Sequence, residues 1–265
     1  MTLYHEVAGD GPGVALLHST VCDSRMWDAE FAALVPRYRV VRFDLRGFGR
    51  SELPPGPFSF VDDLRTVLDR AGIEEAALVG VSGGAALALD FALAAQERVT
   101  ALVLGAPAIG GLDWAADVQR FGEREDELLD AGDVDGAVEL NVRAWVDGPH
   151  RGPDAVDPAV RAKVGEMQRR AFEVQVAAYV RDDQPGPQGR LEPPAIERLE
   201  AVRAPTLVIV GDADVDDVME RADILARRIP AARKVVLRDV AHMVNLERPA
   251  EFEALVDEFL AGLAR

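Results

Sequence analysis

A short glycine-rich segment around Ser82 has the residue types that a nucleophilic turn requires. The segment Gly80-Val81-Ser82-Gly83-Gly84 follows the apolar run 76–79 and precedes the helix-forming run 85–89. A strand that turns directly into a helix leaves no room for side chains two residues before and after its apex, so glycine is expected at both positions. The pattern G-x-S-x-G therefore predicts a strained turn that presents the Ser82 hydroxyl above a sheet.

A nucleophilic serine needs a base, and His242 is the histidine best placed to supply it. It follows the strand-like run 235–237 and precedes the last helical run of the chain. A base in reach of Ser82 removes the hydroxyl proton while the oxygen attacks a carbonyl carbon. The other histidines, which have less suitable positions in the sequence, are His5, His18 and His150.

A carboxylate that orients the base is expected at the end of another strand. The apolar, β-branched run 206–210 is typical of a buried parallel strand, and it ends in Gly211-Asp212-Ala213-Asp214. Asp214 is the favoured candidate to accept a hydrogen bond from Nδ1 of His242 and to stabilise the imidazolium. Asp212 is a close alternative, and Asp216 and Asp217 follow behind it.

Taken together and in this order, the motifs resemble the α/β-hydrolase superfamily over nearly the whole chain. Within it, the chain resembles the branch of small esterases, enol-lactonases and related hydrolases. The resemblance rests on five separated segments: 16–20 (L-L-H-S-T), 44–51 (D-L-R-G-F-G-R-S), 80–84 (G-V-S-G-G), 211–214 (G-D-A-D) and 242–249 (H-M-V-N-L-E-R-P). It implies a catalytic triad of Ser82, His242 and Asp214. Serine at position 82 argues against the related dehalogenases and epoxide hydrolases, which use aspartate there.

The resemblance also implies an oxyanion hole formed by the backbone N–H groups of Gly83 and Thr20. This chain has Ser19 where the family usually has glycine, and a residue with a Cβ atom prefers negative φ. Either the loop tolerates the serine or its path differs. The hydroxyl groups of Ser19 and Thr20 are further candidates for contacts with a substrate.

Strand-like and helical runs alternate along most of the chain, which predicts an α/β fold with a mostly parallel sheet flanked by helices. An N-terminal hairpin is expected, with a first strand near 3–7 and a turn at 9–13. The remaining strand-like runs are 14–18, 40–43, 77–81, 101–104, 206–210 and 235–237. The helical runs between them are 26–34, 60–71, 84–95, 222–228 and 250–263.

Residues 110–200, called the helical segment below, break this alternation. The helical segment is charged, has no convincing strand, and has helical patterns at 123–131, 134–146 and 159–180. The resemblance implies a cap inserted between two parts of an α/β-hydrolase core, 1–109 and 201–265. Aromatic residues at helical spacing more often pack between cap and core than contact a ligand. The aromatic side chains of the helical segment are nevertheless the candidates to line a substrate pocket: Trp114, Phe121, Trp145, Phe172 and Tyr179.

Composition limits the partners. The formal net charge of −17 argues against binding nucleic acid or an anionic membrane surface, both of which need a basic patch.

No zinc, EF-hand or dinucleotide-binding spacing is present in the sequence, so no metal or cofactor is expected. The single cysteine, Cys22, excludes an intrachain disulfide and favours a small apolar filler. With no recognisable targeting segment, we expect a cytoplasmic protein, either a monomer or a homodimer.

The function predicted from these residues is hydrolysis of a small carboxylic ester or lactone through an acyl-enzyme. Alternatives with the same triad are a C–C bond hydrolase, a cofactor-free perhydrolase and an acyltransferase. A different class of alternative is a small-molecule receptor on the same fold that lacks efficient turnover, because fold alone does not determine function.

Overall fold

The computed structural model describes residues 3–180 and 184–263, and its centre is a seven-stranded sheet with the order β1-β3-β2-β5-β6-β8-β9. Only β1 runs antiparallel to its neighbour, so the predicted fold class, a mostly parallel sheet flanked by helices, is confirmed. The strands are β1 (His5–Ala8), β2 (Gly13–Leu17), β3 (Arg39–Phe43), β4 (Gly56–Phe58), β5 (Ala76–Val81), β6 (Val99–Gly105), β7 (Pro185–Gln188), β8 (Thr206–Gly211) and β9 (Arg233–Leu237).

Helices flank this sheet: α2 packs against α3, α1 packs against α9, and α7 packs against β8 and β9. No helix in the described parts of the chain is both long enough and apolar enough to cross a membrane. The helix bounds are α1 (Asp28–Leu34), α2 (Phe60–Arg70), α3 (Gly83–Ala94), α4 (Ala116–Asp130), α5 (Val134–Val142), α6 (Pro158–Tyr179), α7 (Asp216–Arg228), α8 (Val244–Glu247) and α9 (Pro249–Leu263).

The central strands bring the candidate residues to one edge of the sheet. Every residue of β5 and of β8 is buried, which explains why both sequences are continuously apolar rather than alternating. Parallel strands have their carboxyl ends at the same edge. The loops that follow β2, β5, β8 and β9 therefore emerge side by side, and they carry Thr20, Ser82, Asp214 and His242.

The predicted N-terminal hairpin is wrong. Strand β1 pairs antiparallel with β3, with Val7 opposite Val41, and β2 lies on the other side of β3, between β3 and β5. Residues 14–17 of β2 are all buried, whereas β1 is only half buried. Strand β2 is thus apolar enough for a position inside the parallel sheet, whereas β1 suits the edge. Because β3 lies between these two strands, the turn at 9–13 crosses β3 instead of closing a hairpin.

The expectation that the helical segment contains no strand is also wrong. Strand β7 pairs in parallel with β4, outside the main sheet, and the Gly189 N–H donates to the Phe58 carbonyl oxygen at 2.6 Å. The sequence of β7 is Pro-Gly-Pro-Gln, and proline and glycine are depleted in strands, so composition gives no sign of it. The pairing depends on a partner more than a hundred residues earlier in the chain.

Between β6 and β8 the chain forms α4, α5 and α6. Helix α5 packs against both of the others, and a π-helical turn, Arg143–Asp147, continues it. Each of the three helical patterns predicted for the helical segment corresponds to one of these helices, although α4 begins seven residues before its predicted start at 123.

Candidate active site

The turn between β5 and α3 has the strained geometry that its sequence predicts. Ser82 has φ 56° and ψ −117°, a left-handed conformation that non-glycine residues rarely adopt. Its N–H donates to the Gly105 carbonyl oxygen at 2.9 Å, which ties the turn to β6. A Cβ atom on Gly80 would overlap the carbonyl oxygen of Gly84, and one on Gly84 would overlap that of Leu17. The two glycines are therefore required by close backbone approach, and the serine stands at the apex.

Asp214 is the carboxylate that reaches His242. The distance between Nδ1 of His242 and Oδ2 of Asp214 is 2.8 Å, and each residue is only 2% exposed. The other oxygen of Asp214 accepts from the Val215 N–H at 2.8 Å, which holds the carboxylate in orientation. With Nδ1 donating to Asp214, Nε2 of His242 is free to accept a proton. Asp212 instead accepts from the Asp239 N–H at 2.7 Å and serves the loop between β9 and His242.

The loop after β2 is held by His18, which sits fully buried. Nε2 of His18 accepts from the Leu45 N–H at 2.8 Å, so Nδ1 must carry the proton that it donates to the Ser19 carbonyl oxygen, also at 2.8 Å. Burial lowers the pKa of His18, in agreement with a neutral ring. The histidine thus joins the loop after β2 to the loop after β3.

Ser19 is not among the described residues with positive φ, so its Cβ atom causes no backbone strain. The loop therefore tolerates serine at the position where glycine was expected. The side chain of Ser19 is fully buried; its Oγ accepts from the Val21 N–H at 3.4 Å, and its own N–H contacts Sδ of Met26 at 3.3 Å. The next residue reaches the turn after β5: a Cβ atom on Gly83 would lie 2.5 Å from Cγ2 of Thr20. The Thr20 side chain therefore lies against the backbone of Gly83, next to Ser82.

A cavity of about 390 Å³ lies between the sheet edge and the helical segment. Ser82, Thr20 and His242 line it from the sheet side. Four of the five aromatic candidates line it from the other side, and further residues complete the wall. The full lining is Thr20, Val21, Phe48, Ser82, Trp114, Val118, Phe121, Gly122, Glu125, Asn141, Trp145, Gln168, Phe172, Gln175 and His242.

Two of the residues proposed for substrate contact are not part of this lining. Tyr179 is the last residue of α6 and is 55% exposed, because the helix end extends beyond the cavity. Ser19 is turned into the protein interior by its bonds to Val21 and Met26. The structure therefore corrects both assignments and leaves Trp114, Phe121, Trp145 and Phe172.

The lining includes polar residues that the sequence analysis missed: Glu125, Asn141, Gln168 and Gln175. A signal for them was present in the helical spacing. On α4, Glu125 follows Phe121 by four residues, and on α6 Gln168 and Gln175 lie four before and three after Phe172. Residues at these intervals share one face of a helix, so each predicted aromatic residue marked the face on which a polar group also lies.

Trp145 closes the cavity over His242. Its ring centroid is 4.7 Å from that of His242, and it makes edge-to-face contacts with Phe121 at 5.4 Å and Trp114 at 6.4 Å. It lies on the π-helical turn after α5, an irregularity that is frequent at functional sites. The helical segment thus places an apolar wall directly against the imidazole.

A partly buried ion pair supports the backbone next to His242. Oε1 of Glu247 accepts from the Ala241 N–H at 2.8 Å, and its Oε2 lies 2.8 Å from Nη1 of Arg151. Arg151, which belongs to the helical segment, also donates to the Asp239 carbonyl oxygen at 2.6 Å. Arg151 thus connects the helical segment to the loop that carries His242.

Cys22 is fully buried and contacts Sδ of Met243 at 3.8 Å. Burial raises the pKa of its thiol well above the usual range, so it behaves as a small apolar filler, as predicted. Among the residues that the structure describes, no three His, Cys, Asp or Glu side chains are grouped so as to hold a metal ion.

The chain belongs to the alpha/beta hydrolase family, whose model matches residues 14–255. Together with the fold, the match and the named relatives identify the protein as an enzyme of the hydrolase class.

Three similar proteins span nearly the whole chain. A carboxylesterase of Bacillus subtilis (strain 168), YbfK, is 24% identical over 263 residues, which cover 96% of this chain and 81% of the relative. The 3-oxoadipate enol-lactonase 1 of Acinetobacter baylyi is 23% identical over 256 residues, covering 96% and 90%. The crystal structure of a hydrolase from Pseudomonas aeruginosa PA01 superposes with a TM-score of 0.77 at 29% identity, covering 97% of this chain and 94% of that one.

Proposed function

We propose that this protein hydrolyses small carboxylic esters or lactones through an acyl-enzyme on Ser82. The observation that carries the proposal is the His242–Asp214 contact of 2.8 Å, whose histidine lines the same cavity as the strained Ser82. The similarity to a carboxylesterase and to an enol-lactonase supports the substrate class.

In the acylation step, Oγ of Ser82 attacks the substrate carbonyl carbon while Nε2 of His242 takes the hydroxyl proton. Asp214 keeps the proton on Nδ1 and stabilises the imidazolium that forms. The imidazolium then gives its proton to the leaving alkoxide, which departs as an alcohol, or stays attached as the other end of an opened lactone.

The oxyanion of the tetrahedral intermediate needs donors, and we propose the backbone N–H groups of Gly83 and Thr20. The contact of the Thr20 side chain with the Gly83 backbone, which puts both residues beside Ser82, supports this role. So does the position of Gly83 at the N-terminus of α3, where a partial positive charge lies. Each such donor is worth about 3 kcal/mol in the transition state. In the second step His242 activates water, which releases the acid and restores the serine.

We further propose that residues 110–200 act as a cap on a core formed by 1–109 and 201–265. The cavity lining supports this division, because the wall opposite Ser82 comes largely from α4, α5 and α6. A cap that covers the reacting carbonyl excludes water from the first step and strengthens electrostatic stabilisation. A cytoplasmic location and a monomeric or dimeric state stay predictions.

The test compares pre-steady-state hydrolysis of p-nitrophenyl acetate and butyrate by the wild-type protein and by Ser82→Ala. For the wild type we expect a burst of about one nitrophenolate per protein, followed by steady turnover. Loss of the nucleophile should reduce kcat by at least about 10³-fold, because the remaining groups supply only weak catalysis.

Circular dichroism and thermal unfolding of Ser82→Ala show whether the variant keeps its fold. Equal turnover by both proteins would remove Ser82 from the mechanism. If neither protein acts on any member of an ester and lactone panel, ester hydrolysis is wrong for this site, and diketone C–C substrates are the next to assay.

A further inference from the structure

The cavity combines an aromatic wall with hydrogen-bond acceptors contributed by the helical segment. Helix α4 supplies Glu125, α5 supplies Asn141, and α6 supplies both Gln168 and Gln175. Around them stand five aromatic rings, those of Phe48, Trp114, Phe121, Trp145 and Phe172. None of these polar side chains belongs to the reacting group of Ser82 and His242, so their role is a separate question.

This polar set contains a buried acceptor that has no donor among the described residues. Nδ2 of Asn141 donates both to Oε1 of Glu125 and to the Ala137 carbonyl oxygen, so the Asn141 amide has already committed its hydrogens. Gln168 is only 4% exposed, and its Oε1 is buried and has no hydrogen-bond partner in the described structure. A buried acceptor without a donor is costly, which points to a donor that arrives with a ligand.

Glu125 faces the cavity without a cation. Burial raises the pKa of its carboxyl, and the amide of Asn141 opposes the rise only in part. No lysine or arginine is among the described residues that line the cavity. A carboxyl in this setting is stabilised in its charged form by a positive group placed beside it.

A cation lies behind the cavity wall, but it is already paired. Arg221 stacks on the ring of Trp114, with its guanidinium carbon 3.8 Å from the ring centroid, and it is only 1% exposed. Nη1 of Arg221 lies 3.2 Å from Oδ1 of Asp217, whose charge balances that of the guanidinium. Nη2 of Arg221 donates to the carbonyl oxygens of Leu112 and Asp113. The charge of Arg221 is therefore balanced behind the aromatic wall, and Arg221 does not line the cavity.

From this arrangement we propose that the substrate carries a protonated amino group, which the helical segment binds between Glu125, Gln168 and the aromatic rings. The proposal rests on the proposed ester or lactone hydrolysis and narrows its substrate class. An ammonium group supplies N–H donors to the unpaired acceptors and a positive charge to the carboxyl, and aromatic faces attract cations. A carboxylate in the same place would face Glu125 with no compensating cation.

The charge of the whole protein acts in the same direction. A net charge of −17 creates a negative potential that raises the local concentration of cationic substrates and lowers that of anionic ones. Screening by salt reduces this long-range part, whereas short contacts inside the cavity persist. The preference for an amino group should therefore survive at moderate ionic strength.

The experiment measures kcat/KM for three p-nitrophenyl esters of similar length, with the spontaneous rate subtracted. The acyl groups are 6-aminohexanoyl, heptanoyl and 5-carboxypentanoyl, which end in a cation, a methyl group and an anion. At 0.15 M salt we expect the cationic ester to be preferred over the neutral one by at least about tenfold, and the anionic ester to be the poorest.

Glu125→Gln keeps the side-chain shape and removes the charge, so the ratio of cationic to neutral kcat/KM should fall about tenfold or more. Glu123→Gln is the matched control: it makes the same charge change on the same helix at an exposed position outside the cavity, and its ratio should equal that of the wild type. Equal ratios in the Glu125 variant and the wild type would overturn the proposal.

A binding measurement separates this inference from the proposed reaction. Calorimetric titration of Ser82→Ala with pentylammonium, 1-pentanol and hexanoate should show tightest binding of the ammonium, and Glu125→Gln in the same background should abolish that difference. If the wild type hydrolyses the neutral ester but does not prefer the ester with the amino group, the amine site is refuted and the proposed reaction stands. Preferential ammonium binding without any ester hydrolysis would retain the site and refute the reaction.

Discussion

At the scale of single residues, the orientation of His242 depends on the carboxylate of Asp214. Asp214 lies 2.8 Å from Nδ1 of His242, and its second oxygen is satisfied by the Val215 N–H. Asp212, two residues earlier, contacts the backbone of Asp239 instead. Two aspartates of the same short turn thus have separable roles, and substitution distinguishes them.

We predict that Asp214→Asn reduces kcat for p-nitrophenyl esters by about 10⁴-fold with little loss of folded protein. The amide presents an N–H to the imidazole and stabilises the wrong tautomer, the effect known from the analogous change in a serine protease. Asp212→Asn is the control and should keep kcat within about threefold, because it accepts only a loop N–H. Steady-state kinetics of the two variants check this, and similar losses in both would contradict the assignment.

At the scale of elements, the position of Ser82 is set by how closely α3 approaches β2 and β5. The carbonyl oxygens of Leu17 and His18 lie where a Cβ atom on Gly84 would stand. Helix α3 is apolar on almost all sides and packs on β5 and β6, so the turn cannot relax by moving the helix outward without exposing apolar surface. Packing therefore maintains the strained backbone of Ser82.

We predict that Gly84→Ala lowers the free energy of unfolding by about 3 kcal/mol or more, because the added methyl group collides with backbone atoms that cannot rotate away. Gly262→Ala, in α9, is the matched control: its Cβ atom would meet nothing within 4 Å, and alanine favours helix by up to about 1 kcal/mol. Urea unfolding monitored by circular dichroism compares the two. Equal stability of both variants would show that the turn has more room than the structure indicates.

At the scale of the whole molecule, a buried acid couples folding to pH. Glu30 on α1 is 2% exposed and lines a cavity of about 280 Å³ between α1 and α9. Burial raises its pKa from 4.5 to about 8, although the Asn245 amide opposes the rise. Between these two values the folded protein keeps a proton that the unfolded chain has released. Stability from this group is therefore lost as pH rises, by about 1.4 kcal/mol per pH unit.

We predict that Glu30→Gln makes the protein more stable than the wild type above neutral pH. The difference in free energy of unfolding between variant and wild type should grow by about 3 kcal/mol or more between pH 5 and pH 8, because glutamine does not ionise. Denaturant unfolding at several pH values measures it. A pH-independent difference for Glu30→Gln would mean that this carboxyl does not titrate with a raised pKa.

The sequence by itself determined the chemistry-bearing turns and the α/β class. The glycines at 80 and 84, the apolar strands before Ser82 and Asp214, and the order serine, aspartate, histidine are local patterns, and each depends on residues within a few positions of one another. Such patterns can be recognised in the sequence because backbone sterics and strand periodicity act over short distances along the chain.

Tertiary structure alone decided which separated segments meet. Local sequence did not reveal that β1 pairs with β3, that a Pro-Gly segment pairs with Gly56–Phe58, or that Tyr179 extends past the cavity. It also did not reveal that Glu125 and Gln168 face the same space as Ser82. Each outcome is settled by competition among distant surfaces for burial and hydrogen bonds, and the free energy of such contacts belongs to pairs of segments rather than to either sequence alone.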